Sequence, residues 1–506
     1  MTWWGYKAAG RAIGGGARAG SHMGEGLAST LALRSAGRGA RRGYLAPGDP
    51  PPPPSGPTDY YDYRGIASWR EAQNLSAGQF PLGGFIDLNR NQRLRGPIGL
   101  PGTALNRHAV VIGPAGSGKT AGILIPWMHA ALASNWSVVA LDVKGDLRED
   151  FLRYHGVYGG TLGARLRKWD FTDPSRSTSW NWMAELHDEA RTDAAITALL
   201  GRPPERSSVD PYFYQRDYRT LRGLLRFTRA VGGASVKPSD LIQRLEDQAG
   251  LEAAVRAHPR AAGAGDLSAA LAFPAADYPK VVSGVVTALS ALDLPAVEAV
   301  TSRQKLDLAE ALDDHHLLIV GAPLRGGQVS QTLASLLLNQ LQQRLYERFG
   351  QTRRPVLLVI DEAAQIADRV DIGQTMEVAR SAGVGVVVAL QDAAQLRDEN
   401  DRSSIISNAA TLAMLPGASA VSTEAFGKRL GQRFERTHGL TTGGPNQGWG
   451  RVLPQQTLGT EAVPVLRERE ITQVPFGSRP AVLQVNAREL GVTPKPFLVD
   501  LHRETG

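Results

Sequence analysis

Residues Gly113, Pro114, Ala115, Gly116, Ser117, Gly118, Lys119 and Thr120 match the pattern G-x-x-x-x-G-K-[ST] in full. No other stretch limits so strongly what this chain can fold into. An apolar run at 109–113 precedes the pattern and a helical pattern follows it. These flanks put the eight residues on a turn between a buried strand and a helix. Glycines let the backbone curl so that successive N–H groups converge, and the next helix adds its positive N-terminal end. Such a P-loop holds phosphate oxygens. Lys119 is expected to reach the β- and γ-phosphates of ATP, and the Thr120 hydroxyl to bind Mg²⁺.

A loop of this kind needs a carboxylate partner. The apolar run 356–360 ends in Asp361 and Glu362. In a parallel sheet, groups at the C-terminal ends of strands face one crevice. Asp361 is expected in the Mg²⁺ shell, and Glu362 as the group that orients and polarises the attacking water. Further apolar runs lie at 137–143, 316–321, 384–390 and 411–415. They carry Val, Ile and Leu on consecutive positions, so both faces are expected to be buried, as in an α/β fold with a mostly parallel central sheet.

Between about 185 and 305 the alternation stops and helical patterns take over, amphipathic at 216–229 and apolar on one side at 281–292. The expected division is therefore a tail at 1–58, a first part of the nucleotide domain at 59–184, an inserted all-α domain at 185–305, and a second part of the nucleotide domain with a C-terminal extension at 306–506. Residues 421–463 are rich in Gly, Thr and Gln and read as a long loop, and residues 480–485 as an added edge strand.

Composition narrows the chemistry. The chain has no cysteine, which removes disulfides, thiolate metal sites and cysteine nucleophiles. Of the net charge of +7, +5 sits in residues 1–50, so the high pI says little about the folded body. The Gly-, Ala- and Arg-rich tail ends in the proline run 50–54, is too poor in apolar residues to form a core and is expected to be disordered. It reads either as a solvated tail or as an arm touching DNA, anionic lipid or a membrane partner. Its glycines leave no apolar segment of the kind a signal peptide needs. The longest uncharged stretch, 120–141, contains Pro126, His129, Asn135 and Ser137 and divides into a helix and a strand rather than a membrane span.

Other residues have two readings each. Gln391, at the end of the 384–390 run, is either a γ-phosphate sensor in the same crevice or a loop glutamine. Arg380 is either an arginine finger on a neighbouring subunit's nucleotide or a solvated helix residue. Asp142 and Lys144, after the 137–143 run, either cap and pair at the surface or make an intersubunit or substrate contact near the nucleotide. Tyr212, Phe213, Tyr214, Arg216, Tyr218, Arg219, Arg222 and Arg226 interleave aromatic and basic groups. They form either a stacking and phosphate-contacting face or an ordinary packed helix.

Several of these segments together resemble the type IV secretion coupling proteins, the DNA-pumping ATPases of bacterial conjugation. Leu141-Asp142-Val143-Lys144-Gly145-Asp146-Leu147 is similar to the family's Asp-x-Lys-Gly-acidic motif. Trp180-Asn181-Trp182-Met183 stands where the family has an aromatic-Asn-Pro-like turn. Ala379-Arg380-Ser381-Ala382-Gly383, then Val387 to Gln391 and Gln395-Leu396, resembles its Arg-bearing helix and Gln-bearing strand. Phe426-Gly427-Lys428-Arg429-Leu430-Gly431 and Glu470-Ile471 are similar as well.

The resemblance covers about 95–500. It implies a RecA-like homohexameric motor whose ATP hydrolysis drives DNA toward a secretion channel, with channel or relaxase proteins as partners. It also implies an all-α domain that recognises substrate on the cytoplasmic face. The chain departs from the family in lacking a trusted membrane-spanning start. The expected location is the cytoplasm, with any contact with the inner face of the membrane made through a partner or the tail. A soluble RecA-like double-stranded DNA pump or helicase and a non-catalytic nucleotide-binding adaptor are the competing readings.

Overall fold

The computed structural model describes residues 66–87, 93–158, 165–203, 211–441, 455–474, 477–486 and 495–501. The expected tail at 1–58 lies outside them. The strands are β1 (Phe80–Asp87), β2 (Arg93–Leu100), β3 (Ala109–Ile112), β4 (Ser137–Asp142), β5 (Leu166–Trp169), β6 (Leu317–Gly321), β7 (Val356–Ile360), β8 (Val384–Leu390), β9 (Thr411–Met414), β10 (Gln432–Thr441), β11 (Gln455–Pro464), β12 (Pro480–Val485) and β13 (Phe497–Leu501).

Eleven of them form one sheet in the order β2-β1-β13-β12-β9-β3-β8-β7-β4-β6-β5. From β9 to β5 every pairing is parallel. The six apolar runs read from the sequence are β3, β4, β6, β7, β8 and β9. Their residues alternate between two cores. Val110, Ile112, Val139 and Leu141 face one side, and Ala109, Val111, Val138 and Ala140 the other. Burial on both faces is why these strands are apolar at every position.

The helices used below are α1 (Ile125–Ala133), α2 (Leu147–Tyr158), α3 (Glu189–Leu200), α4 (Pro211–Gly232), α5 (Asp240–Glu246), α6 (Gln248–Ala257), α7 (Ala264–Leu271), α8 (Tyr278–Leu289), α9 (Pro295–Thr301), α10 (Leu308–Asp313), α11 (Gly327–Tyr346), α12 (Ile372–Ser381), α13 (Glu399–Asn408) and α14 (Ala420–Leu430). Helices α1 and α2 cover one face of the sheet with Trp127, Met128, Phe151 and Tyr154. Helices α11 and α12 cover the other with Leu333, Leu337 and Met376, and α3 packs on α11. From α3 to α9 the described chain is helical. There α4 comes so close to α7 that a Cβ on Gly223 would meet the Leu267 backbone nitrogen at 3.0 Å. Asn181 ties the Trp180–Met183 turn to this layer by donating to the Val236 carbonyl at 2.9 Å.

Two expectations need correction. Residues 480–485 are not an edge strand. β12 lies inside the sheet, antiparallel to both β9 and β13. Its residues 481–485 are buried, which its Ala-Val-Leu-Gln-Val sequence suits. Nor is 421–463 a loop throughout, because α14 and the antiparallel pair β10–β11 occupy much of it. Cross-strand hydrogen bonding suits Thr- and Gln-rich strands even where no apolar run marks them. The uncharged stretch 120–141 is a π-helical turn (Thr120–Leu124), α1 and the start of β4. Among the described residues, no single helix is long and apolar enough to cross a membrane.

Candidate functional site

The eight-residue loop leaves β3 at the C-terminal edge of the parallel strands and enters α1 through the π-helical turn. Two of its glycines need their lack of a side chain for the backbone angle, with φ of 76° at Gly116 and 96° at Gly118. Gly113 needs it for space, since a Cβ there would lie 2.7 Å from the Leu415 Cβ and 2.8 Å from the Ser117 Oγ. The Lys119 side chain is folded over the loop and donates to the Gly113 carbonyl, and to that of Pro114 at 3.1 Å. Burial lowers the Lys119 pKa, against the raising effect of the Glu362 and Asp361 carboxylates, and Lys144 lowers it further.

Strand order then decides what meets the loop. β8 lies between β3 and β7, and β4 lies beyond β7. The residues that follow these strands form a row along one edge. Thr120 donates from Oγ1 to Asp361 Oδ2 at 3.4 Å. Gln391 donates from Nε2 to Glu362 Oε2 at 2.7 Å. Glu362 has φ 54°, the left-handed region that a non-glycine residue enters at a cost of about 1–2 kcal/mol. This turn at the end of β7 sends two adjacent carboxylates to different partners. Burial raises the Asp361 pKa, while Lys144, Lys119 and the Thr120 hydroxyl lower it.

The Asp-x-Lys-Gly segment joins the same row. Asp142 accepts from the Gly145 N–H at 2.7 Å and from the Leu147 N–H at 3.1 Å, shaping the loop that carries Lys144. Lys144 Nζ donates to Thr120 Oγ1 at 3.4 Å. The Asp142 carboxyl is pushed up to about 6, chiefly by burial, with the charges of Asp146 and Asp361 adding to the rise. Asp142 therefore caps its loop as a buried residue and not at the surface, and Lys144 stands beside the loop threonine of its own chain.

The residues present suit a phosphorylated ligand with a divalent ion. Ser117 Oγ, Asp361 Oδ1 and Glu362 Oε1 are buried polar atoms without a hydrogen-bond partner in this row. Among the described residues, no cluster of three or more His, Asp or Glu is arranged to hold a metal alone. Mg²⁺ asks for less, since one or two protein oxygens suffice when substrate phosphates and water complete its shell. Thr120 and Asp361 are placed to offer those two.

Arg380 is not part of this row. It lies in the last turn of α12, which returns the chain to the start of β8 at the opposite edge, and it is exposed. Its charge is felt by His108, just before β3. Burial lowers the His108 pKa to about 4, the Met376 carbonyl acts against this, and the Arg380 charge adds to the lowering.

The aromatic and basic residues of α4 are largely engaged within the chain. Arg216 pairs with Asp217 at 2.7 Å, Arg219 with Asp266 at 3.3 Å, and Arg222 and Arg226 with Glu189 at 3.1 and 2.6 Å. Tyr218 donates to Asp193 at 2.6 Å and Tyr214 to the Gly201 carbonyl at 3.2 Å. This favours the packed-helix reading, with Tyr212 and Phe213 left exposed at its start.

One cation beside the loop was not singled out from the sequence. Arg479, just ahead of β12, has its Cδ 3.6 Å from where a Cβ on Gly118 would stand. It lies far along the chain in no recognisable motif, so only the strand order exposes it.

Comparison with known proteins agrees with this arrangement. A family model described as type IV secretory system conjugative DNA transfer matches residues 73–438, well over half of the chain. No curated protein matches. Among solved structures, the bacterial conjugative coupling protein TrwBdeltaN70 superposes with a TM-score of 0.62 at 17% identity, over 87% of this chain and 92% of that one. The plasmid coupling protein TrwB in complex with the non-hydrolysable ATP analogue ADPNP gives a TM-score of 0.61 at 16% identity, over 87% and 93%. TrwB in complex with ADP and Mg²⁺ gives 0.59 at 16%, over 81% and 88%. At such identities these likenesses speak for the fold, a P-loop α/β architecture shared along most of both chains. Membership comes from the family match together with the loop, carboxylate and glutamine geometry it spans: the chain belongs to the type IV secretory system conjugative DNA transfer family.

Proposed function

We propose that this chain is an ATP-hydrolysing DNA translocase that serves as a coupling protein, recruiting DNA or a protein–DNA complex and pumping it to a type IV secretion channel. The observation that carries the reading is the convergence of the P-loop, Asp361 with Glu362, and Gln391 at one sheet edge in a chain of this family. Solved structures of TrwB with ADPNP, and with ADP and Mg²⁺, support ATP and Mg²⁺ as the ligands.

In this reading the N–H groups of residues 113–120 and Lys119 hold the phosphates. Thr120 and Asp361 hold Mg²⁺, which when bound neutralises phosphate charge. Glu362, oriented by Gln391, accepts a proton from the water that attacks the γ-phosphorus, and ADP departs with the electron pair of the broken P–O bond. Arg380, remote from its own chain's site, serves the nucleotide of a neighbouring copy in a homohexamer. The helical segment 185–305 acts as an all-α unit that engages substrate on the cytoplasmic side. Relaxase and channel proteins are the partners, and any membrane contact runs through them or through residues 1–58.

The test is ATPase rate with single-stranded DNA, duplex DNA and no DNA, with particle mass measured alongside. Hydrolysis stimulated by DNA, falling steeply with salt and abolished by Lys119→Ala, is expected. A monomer unresponsive to DNA would sink the translocase reading, and hydrolysis surviving Lys119→Ala would sink the site.

A further inference from the structure

The family match ends at residue 438, and the nucleotide row described so far lies within it. The C-terminal strands lie beyond it, yet β12 is inserted against β9, next to the loop-bearing β3. Because β12 runs antiparallel to β9, its N-terminal end arrives at the edge where the P-loop sits. Arg479 occupies that end.

The backbone around Arg479 is held in place. Asp500 Oδ1, on β13, accepts from the Ser478 N–H at 2.8 Å and the Arg479 N–H at 2.7 Å, and the Ser478 hydroxyl donates to Asp500 at 3.1 Å. The Arg479 carbonyl accepts from the Leu501 N–H at 2.9 Å. The side chain then runs to the P-loop, with Cδ and Nε 3.6 and 3.9 Å from the Cβ position of Gly118. Its Nη1 is buried and has no hydrogen-bond partner. A guanidinium nitrogen in that state is costly unless an anion meets it, and a planar fork of donors is the geometry that matches phosphate oxygens. Gly118 is the residue next to Lys119 in the phosphate loop.

We propose that Arg479 is a further cation of the nucleotide site, beyond Lys119 and Lys144, supplied in cis by the C-terminal antiparallel strands, and that it binds the phosphate tail of the nucleotide beside Gly118. The assignment rests on the nucleotide reading of the P-loop. It makes the C-terminal extension part of the binding site. A chain with an intact loop but a displaced β12 would bind nucleotide weakly.

The experiment is calorimetric titration of the full chain with ADP and Mg²⁺, together with its melting temperature with and without that ligand. It uses the wild type, Arg479→Ala, Arg479→Lys and Lys119→Ala. Arg479→Ala is expected to weaken ADP about 10- to 100-fold, the loss of one or two charge-assisted hydrogen bonds. Arg479→Lys recovers part of it, since the charge stays and the fork goes. The melting temperature without nucleotide is unchanged or higher, because a buried nitrogen without a partner is removed. Affinity for ADP within about twofold of wild type in Arg479→Ala, against a normal binding enthalpy, would overturn the proposal. So would a loss matched by a lower nucleotide-free melting temperature, which marks a structural arginine. If instead Lys119→Ala binds as the wild type does, the P-loop reading falls first and takes Arg479 with it.

Discussion

Gln391→Ala tests the site at the point where positioning and chemistry separate. Glu362 is 3% exposed, its Oε2 accepts from Gln391 at 2.7 Å, and its Oε1 has no hydrogen-bond partner. Removing Gln391 therefore removes a defined side-chain donor that orients this carboxylate. A hydrogen bond to a charged group contributes about 1.5–3 kcal/mol. If that orientation is needed only in the transition state, kcat falls about 10- to 100-fold while KM for ATP stays within about twofold.

Gln391→Glu makes a sharper version. Two carboxylates at hydrogen-bonding distance do not both ionise readily, so the acid limb of the rate profile moves to higher pH than in the wild type. The assay is steady-state ATP hydrolysis at saturating DNA from about pH 5.5 to 9, a window above the ordinary carboxylate range that a raised carboxylate pair would enter. A kcat for Gln391→Ala close to wild type, a loss expressed only in KM, or an unmoved acid limb in Gln391→Glu would refute the reasoning.

Other outcomes follow from the same geometry. Arg380→Ala is expected to lower kcat at least about 1,000-fold with little change in ADP affinity, and mixing it with Lys119→Ala should restore turnover in shared rings; no recovery on mixing rules out action in trans. His108 accepts the Val386 N–H at 3.0 Å with φ 66°, and burial holds its pKa at about 4. The unfolded chain takes up this proton below about pH 6.5 and the folded chain only near 4, so about 3 kcal/mol of stability present above that window is lost as the pH is lowered through it. His108→Asn keeps an acceptor and tolerates the backbone angle, so urea unfolding at pH 7 and 4.5 should show a flatter dependence, and equal slopes would count against it. Gly113→Ala should cost about 1–3 kcal/mol and most nucleotide affinity because its Cβ meets Leu415 and Ser117. Gly427→Ala, in α14 with nothing within 4 Å of the added carbon, should stabilise by about 0.5–1 kcal/mol, and both are read from melting curves.

Much of the site was legible in the chain because its parts are local. The glycine spacing that bends the P-loop, the apolar runs that become β3, β4, β6, β7, β8 and β9, and the acidic pair closing β7 each depend on neighbours in sequence. Strand ends of a parallel sheet share an edge, so the pattern places Lys119, Asp361 and Gln391 on one edge, and the order β3-β8-β7 makes them neighbours there. The sequence pattern also placed 185–305 outside the alternation, and α3 to α9 are helical there.

What the tertiary structure decided lies where the pattern is silent. β1, β2 and β5 carry Gly, Pro, Arg or Lys instead of continuous apolar runs. They pair at or near the ends of the sheet, where β5 leaves Arg167 exposed and β1, though largely buried, is interrupted by Gly83 and Gly84. The polar β10–β11 pair read as a loop because cross-strand hydrogen bonding leaves no periodic apolar mark. β12 looked like an edge because nothing in a six-residue run states which strands flank it. That placement brings Arg479 to Gly118 across 361 positions of chain. Sequence determines which segments can bury themselves and which loops can curl. Only strand order, set by how all the faces pack at once, determines which distant charge ends beside the phosphate loop.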